Sequence, residues 1–544
     1  MGSIANAGND GYDLTTSRNK EAEEMYGDGV AAKKFGYVSR RLFIALGGTI
    51  GTGIFLGIGI ALANAGPLSL LLGYVFTGVA VFCLMQCLGE MATWFPLPGG
   101  IPHFCSQFVD EAMGFAVGWN NWYSAALTVC SEISAASIII GFWDEHTNPA
   151  VWITLVIVVV VAINIYSVRI YGEAEFWFAS IKIITIVGLL ILALILALGG
   201  GPNHDRLGFR YWKNPGAMKE YMSTGDTGRF LGLFSTFINA AFSYGGVETI
   251  AVAAGETENP RKNIPRAVSR VFWRILFFYV LGSLAIGVLV PYNDNALLTA
   301  QAPNVQTGVA SPWVIAIYEA GIPVLPSIVN AVILTAASSS VSAFLYVGSR
   351  YLFSLAQKRQ APGLLLICSD NGVPYWCVGI TASFSLLAYM SISTSSNQVF
   401  VWFYNITTIS SLMTWASVCV AYLKFYGALQ AQGINRDTLP FKSIWQPYAA
   451  WFGLIYFSII IIFNGFTVFI HGNWNVSTFM VSYIGIPIYF ALYLFWKVFK
   501  GTKWHNSADI DLSTGKAEID RMEDALPQKQ DPMSVSEKIW FWIA

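Results

Sequence analysis

Gly48-Thr49-Ile50-Gly51-Thr52-Gly53 interrupts the first apolar run of this chain, and Ser243-Tyr244-Gly245-Gly246-Val247-Glu248 interrupts a later one. Glycine loses the most backbone freedom in a helix, and β-branched threonine crowds the preceding turn, so the first stretch is a poor helix interior. A packing surface of small residues for a neighbouring helix explains that stretch equally well. A dinucleotide-binding loop does not, because Leu56 stands where the third glycine belongs and no strand precedes it. The second stretch decides between the readings. Interrupted helices at corresponding positions of two halves of a membrane protein point to a solute site.

The surroundings of both stretches are membrane-like. Hydrophobic residues make up 55% of the 544 residues and charged ones only 12%, against about a quarter charged in a soluble chain. Most of the surface is therefore expected to face lipid. The net charge of -1 gives no basis for nucleic-acid binding. Apolar runs long enough to cross a ~30 Å hydrocarbon core fall at 42–63, 68–92, 113–142, 151–168, 176–198, 230–254, 271–290, 325–355, 375–392, 399–424, 448–470 and 479–499. The expectation is an all-α membrane protein of about twelve transmembrane helices, with spans 1 and 6 interrupted. Residues 1–40 and 501–544 read as polar, largely disordered tails around a transporter domain at 41–500. No apolar run precedes Arg41, so the first span is expected to serve as its own insertion signal.

Lys and Arg collect before span 1, after span 6, after span 8 and after span 12, while 292–312 contains neither. With an even number of spans these clusters share one side, expected to be the cytoplasm, together with both termini. The loop 199–229 carries Arg206, Arg210, Lys213, Lys219 and Arg229 on the opposite side, diluted by Asp205, Glu220 and Asp226. Five spans separate the two breaks. An odd repeat places its copies in opposite topology, and broken backbone at this depth is tolerable only where it is buried or lines a cavity.

The breaks also suggest a ligand. Each second half-helix begins near the midplane with N–H groups and a dipole that favour an anion. Each first half-helix ends there with carbonyls suited to an ammonium or a small cation. A carboxylate plus an ammonium matches both ends, so an α-amino acid is the expected solute. Glu132, Lys182 and Glu248 are the ionisable residues read as lying well inside spans, where charge is costly and so points to function. Glu248 is a candidate for contact with the substrate amine or for carrying a proton, or it ties the loosened backbone together. Glu132, in Cys130-Ser131-Glu132-Ile133-Ser134, is read as a ligand or as part of a structural network. Lys182 is a candidate for proton coupling, because a tethered ammonium can stand where other transporters hold sodium. Tyr244 is placed to cap a ligand. Trp402, with Trp119, Trp122 and Tyr123, is a candidate pocket wall or a packing residue.

The chain has neither a CxxC pair nor a His–acid pair inside a span, so no metal site, cofactor or enzyme chemistry is expected. All five histidines are read as lying in loops or tails.

At these residues the sequence resembles fungal amino-acid permeases of the amino acid–polyamine–organocation superfamily. The matching words are Gly47 to Gly53, Gly89-Glu90-Met91-Ala92, Phe95 to Gly100, Phe176 to Lys182, Phe242 to Glu248 and Gly255 to Arg261, in order from Phe35 to Lys500. The resemblance implies a LeuT-like 5+5 inverted repeat with two further helices. It also implies proton-driven amino-acid uptake at the plasma membrane, with the substrate backbone on Thr49, Ile50, Gly51, Thr52, Gly53 and Ser243, Tyr244, Gly245, Gly246, Glu248. Ser131 and Ile133 beside Glu132, and Gly100-Ile101-Pro102-His103 with Cys105, depart from the commoner wording and leave the preferred side chain open. A sensor with the same fold, or a carrier of a related amine such as GABA, is the alternative. Lys20, Lys33 and Lys34 are candidate ubiquitin acceptors in the N-terminal tail.

Overall fold

The computed structural model describes residues 51–95, 100–144, 146–166, 168–249, 260–300, 311–369 and 372–513. Residues 39–544 form one compact unit, and Met1–Val38 a separate one that lies outside the described residues. The described chain is helical. After a 3-10 turn at Thr52–Ile54 come α1 (Gly57–Ala65), α2 (Pro67–Trp94), α3 (Gly100–Phe108), α4 (Glu111–Ile140), α5 (Pro149–Tyr166) and α6 (Val168–Ala197). Then follow α7 (Gly225–Ser243), α8 (Pro260–Arg274), a π segment at Ile275–Val280, α9 (Leu281–Leu289), α10 (Asn295–Ala300) and α11 (Pro312–Glu319). The remainder is α12 (Leu325–Gln357), α13 (Tyr375–Ser383) running into a 3-10 stretch Phe384–Ile392, α14 (Ser396–Ala431), α15 (Tyr448–Phe463), α16 (Val476–Tyr483) and α17 (Gly485–Lys500).

Among the described residues, eight helices are long and apolar enough to cross a membrane, or nine when α16 and α17, bent by 45°, count as one span. The two shorter apolar helices are Thr52–Ala65 and Tyr448–Phe463. These two shorter helices are apolar runs with neither charge nor proline, so nothing in them interrupts the backbone ladder. Proline stands in the first turn of α2, α11 and α12, where its missing N–H costs nothing. Gly66 joins α1 to α2 at φ +80°, a conformation an L side chain rarely takes.

The helices sort into inner and outer layers. On α5, Ile153, Val156, Val160 and Asn164 are buried at helical spacing, whereas Leu155, Val158 and Val159 are exposed. One stripe faces protein, and the other is apolar enough for lipid. The centre is formed by α4, which packs most extensively against α12 and α14. Polar contacts fix that packing: Asn120 Nδ2 donates to Ser410 O and Thr414 Oγ1 (2.8 and 2.9 Å), and Thr414 Oγ1 donates to Asn121 Oδ1 (2.5 Å). The first break packs on α7 and α12, and α7 packs on α1 and α2.

Two expectations are corrected here. The segment after Lys500 is ordered as far as Ser513: His505 N–H donates to Val109 O (2.9 Å), Gln432 Nε2 to Ile510 O (2.6 Å) and Trp94 Nε1 to Leu512 O (3.3 Å). Ile510 and Leu512 are buried in the core, and these two apolar residues in a polar stretch explain why it adheres. Residues 514–544 lie outside the described residues. His103, read as a loop residue, sits half-buried on α3, and the loss of solvent around its ring together with Lys358 pushes its imidazole down to about 3.

Candidate functional site

A single cavity gathers both breaks. It is lined by Gly51 and Gly53 from the first, and by Ser243, Gly245, Gly246 and Glu248 from the second. Helix α4 adds Asn121, Ser124, Thr128 and Glu132, α12 adds Ser340, Phe344 and Tyr351, and α14 adds Thr407, Thr408 and Ser411.

Two glycines make the arrangement possible. A Cβ on Gly51 would lie 2.4 Å from Glu132 Oε1 and 2.9 Å from Ser340 Oγ. A Cβ on Gly53 would lie 2.8 Å from Ser243 Cα. The two breaks therefore touch backbone to backbone, which only glycine allows at Gly53. Gly246 has φ +84° and lets the chain turn sharply after Tyr244: Gly245 N–H donates to Phe242 O (2.9 Å), and Thr249 N–H and Oγ1 donate to Gly246 O (3.0 and 2.7 Å). Part of the carbonyl supply expected at this break is thus consumed locally.

The N–H ends of the breaks are already faced by carboxylates of the chain itself. Thr52 N–H donates to Glu132 Oε1 and Oε2, both at 3.3 Å. Glu248, which closes the second break, lines the same cavity, and its Oε2 accepts from Trp415 Nε1 at 3.0 Å. Glutamates thus occupy the positions that the dipole argument assigns to an anion.

Not every expected residue lies here. Thr49 and Ile50 are outside the described residues. Thr52 is buried behind the cavity wall and contributes its backbone N–H. Tyr244 turns away: its hydroxyl donates to Tyr74 O (3.0 Å), and its ring packs against Tyr74 and Tyr279. Trp402 packs with Leu127 and Phe384 in a satellite cluster and does not line the cavity. One step along the helix rotates a side chain by about 100°, so adjacency to a break does not make Tyr244 a ligand. Trp119 and Trp122 pack in a separate cluster with Leu352 and Cys377, and the Tyr123 hydroxyl accepts from Ser410 (2.7 Å).

Lys182 lies behind the cavity rather than in its wall. It is fully buried, and Nζ donates to Ser339 Oγ (2.9 Å), next to the lining residue Ser340. Three further acidic side chains are buried among the described residues, beyond those expected: Glu175, Glu90 and, at the start of α4, Asp110. Glu175 accepts from the same Ser339 hydroxyl (2.7 and 2.9 Å to its two oxygens). Glu90 accepts from Arg436 Nη2 (2.5 Å), the Tyr422 hydroxyl (2.5 Å) and Ser443 N–H (2.7 Å). Glu175 precedes the predicted start of its span by one residue, so only the longer helix reveals its depth.

The amino acid permease family model matches residues 41–507, the stretch that holds the breaks and the cavity. The chain belongs to the amino acid permease family. It is 44% identical to a proline-specific permease of Emericella nidulans, over 94% of each chain. It is 42% identical to the proline-specific permease of Saccharomyces cerevisiae, over 92% of this chain and 81% of that one. A lysine-specific permease of the same yeast is 38% identical, over 97% and 85%. Family membership makes this permease a multi-span membrane protein of amino-acid transport.

Proposed function

We propose that this permease imports an amino acid across the plasma membrane by proton symport with alternating access. The observation that carries the reading is the cavity that Gly51 and Gly53 share with Ser243, Gly245 and Gly246. It supports a substrate backbone held between the two breaks, with Thr49 and Ile50 completing the first. Glu132 and Glu248 stand at the N–H ends, so an incoming carboxylate competes with them for those donors and its ammonium finds them as partners. Lys182, one residue behind the wall through Ser339, is the candidate proton carrier, with Glu248 as the second titratable group. The interrupted stretches, five spans apart, favour a 5+5 inverted repeat followed by two helices, with both termini in the cytoplasm.

The lining also favours a side-chain class. No Lys or Arg lines the cavity among the described residues, so an acidic side chain would lack a partner. Ser124, Ala125, Thr128, Phe344 and Val347 offer a small, mostly neutral wall, suited to a compact uncharged side chain. Two similar permeases are named proline-specific, and proline is the first candidate. Uptake competition with all common amino acids, in cells lacking their own permeases, tests this. Proline and small neutral residues should compete best, whereas preferential competition by lysine or arginine would overturn the neutral assignment. Accumulation should collapse with a protonophore and persist without sodium. Absence of any accumulation against a gradient would favour a sensor instead.

A further inference from the structure

The cavity is longer than one amino acid. Its lining runs from Asn121 to Glu132 on α4 and from Ser340 to Tyr351 on α12, about 16 Å of each helix, whereas one residue of extended chain covers only about 3.6 Å. The two helices lie antiparallel. A Cβ on Gly51 would meet both Glu132 and Ser340, one on Gly348 would lie 3.3 Å from Ala125 Cβ, and one on Gly118 2.7 Å from Leu355 Cδ2. Glu132 and Ser340 therefore share one end of the cavity, and Asn121 and Tyr351 share the other. Adjacent residues of α14 hold that second end together: Trp415 Nε1 donates to Glu248 Oε2 (3.0 Å), and Thr414 Oγ1 donates to Asn121 Oδ1 (2.5 Å). The Thr414 hydroxyl already accepts from Asn120 Nδ2 (2.9 Å), so its one hydrogen goes to Oδ1 and fixes which way the Asn121 amide points. Asn121 Nδ2 has no partner at hydrogen-bonding distance among the described residues. Even turned to the Tyr351 hydroxyl on the facing helix, it keeps a second hydrogen to give. Asn121 is only 6% exposed and Glu248 9%. A buried donor left unmade is costly, and one placed in a cavity wall beside a carboxylate points to a ligand.

We propose that this end of the cavity is a second amino-acid station, where Glu248 takes the ammonium and Asn121 Nδ2 the carboxylate of a zwitterionic substrate on its way out. The station rests on the reading of the chain as an amino-acid carrier whose substrate backbone docks first at the glycine breaks. It lies nearer the start of α4, the side assigned to the cytoplasm. Ala125, Thr128, Phe344 and Val347 line the stretch between the ends and offer no charge to either pole of a zwitterion. A substrate leaving the first break therefore finds its next charged partners only at Glu248 and Asn121. The pairing of a carboxylate with an amide donor repeats, in side chains, what Glu132 and the Thr52 N–H present at the first end. At about 16 Å apart, the two ends have room for one small amino acid each.

The test is equilibrium binding to purified full-length protein in lipid nanodiscs, with a mixture of the common L-amino acids, radiolabelled to equal specific activity, as probe. Wild-type protein should bind two molecules per chain at saturation, and N121L and E248Q should each bind one. In sealed vesicles, N121L should raise the half-saturating concentration on the cytoplasmic side by about tenfold, the scale of one hydrogen bond to a charged group, and far less on the outer side. A general packing defect would move both sides alike. One molecule per wild-type chain, or two in either variant, overturns the station. If N121L does not fold, E248Q carries the same decision. Wild-type protein that binds none of the mixture refutes the amino-acid reading itself, which is a distinct outcome.

Discussion

Gly51 shows how one missing carbon organises the site. The Glu132 carboxylate occupies the space that a Cβ would need, 2.4 Å away, and from there it reaches the Thr52 N–H. Gly51→Ala must push Glu132 off the first break or distort the break itself. Uptake should be lost while the protein still reaches the cell surface, checked by paired uptake and surface labelling. Wild-type uptake in this variant would remove the site. Trp415 is the residue-scale counterpart at the second break. Trp415→Phe keeps the ring but leaves Glu248 Oε2 without its 3.0 Å donor. A hydrogen bond to a charged group contributes about 1.5–3 kcal/mol, so uptake should fall roughly tenfold or more. An unchanged rate would show that Glu248 is held by other donors. Nothing in the sequence around Trp415 pairs it with Glu248, 167 positions away.

At the level of elements, two ties hold helix ends. Glu90 near the end of α2 is fully buried, and its ion pair with Arg436 joins α2 to the connection after α14. Removing one partner of a buried pair strands the other, at a cost of about 3–5 kcal/mol. Arg436→Ala should therefore lower the unfolding temperature of the detergent-purified protein markedly, and an unshifted transition would contradict the tie. The second tie is Asp110, which caps α4 through the Ala112 N–H (3.1 Å) and pairs with Lys497 of α17. Burial pushes its carboxyl up, but Lys497, Thr502 and the Ala112 N–H outweigh this and hold it below the ordinary carboxylate range. A depressed folded pKa stabilises above the unfolded value of about 3.9 and loses that contribution as pH falls through it. The stability of Asp110→Asn should vary less between pH 5 and pH 3 than that of the wild type, as measured by thermal unfolding across that range.

The whole molecule separates what periodicity can show from what it cannot. An apolar run of span length is a local property, and so is a cluster of glycines inside it, which is why a chain of many membrane-crossing helices and the two glycine-rich stretches are legible in the sequence. Sidedness is nearly as local, because it depends on Lys and Arg beside the spans. A tag within 292–312 should be labelled in intact cells, and a tag after Ala544 only after permeabilisation. The reverse pattern would invert the topology. The contacts across the site are not local. Glu132 meets Thr52 across 80 positions and Ser339 meets Glu175 across 164, and a helix rotated by one residue would break either contact.

By itself, the sequence determined a helical membrane protein with two interrupted spans, and it named Glu132, Lys182 and Glu248 as costly buried charges. Only the tertiary structure decided what each one faces. It brought the breaks together through Gly53 and Ser243 and set Glu132 against Thr52. It turned Tyr244 and Trp402 out of the cavity and supplied Lys182 with Ser339 and Glu175. The physical reason is that composition and spacing set how a segment behaves towards lipid, whereas the rotation of each helix against its neighbours sets which side chains share a hydrogen bond.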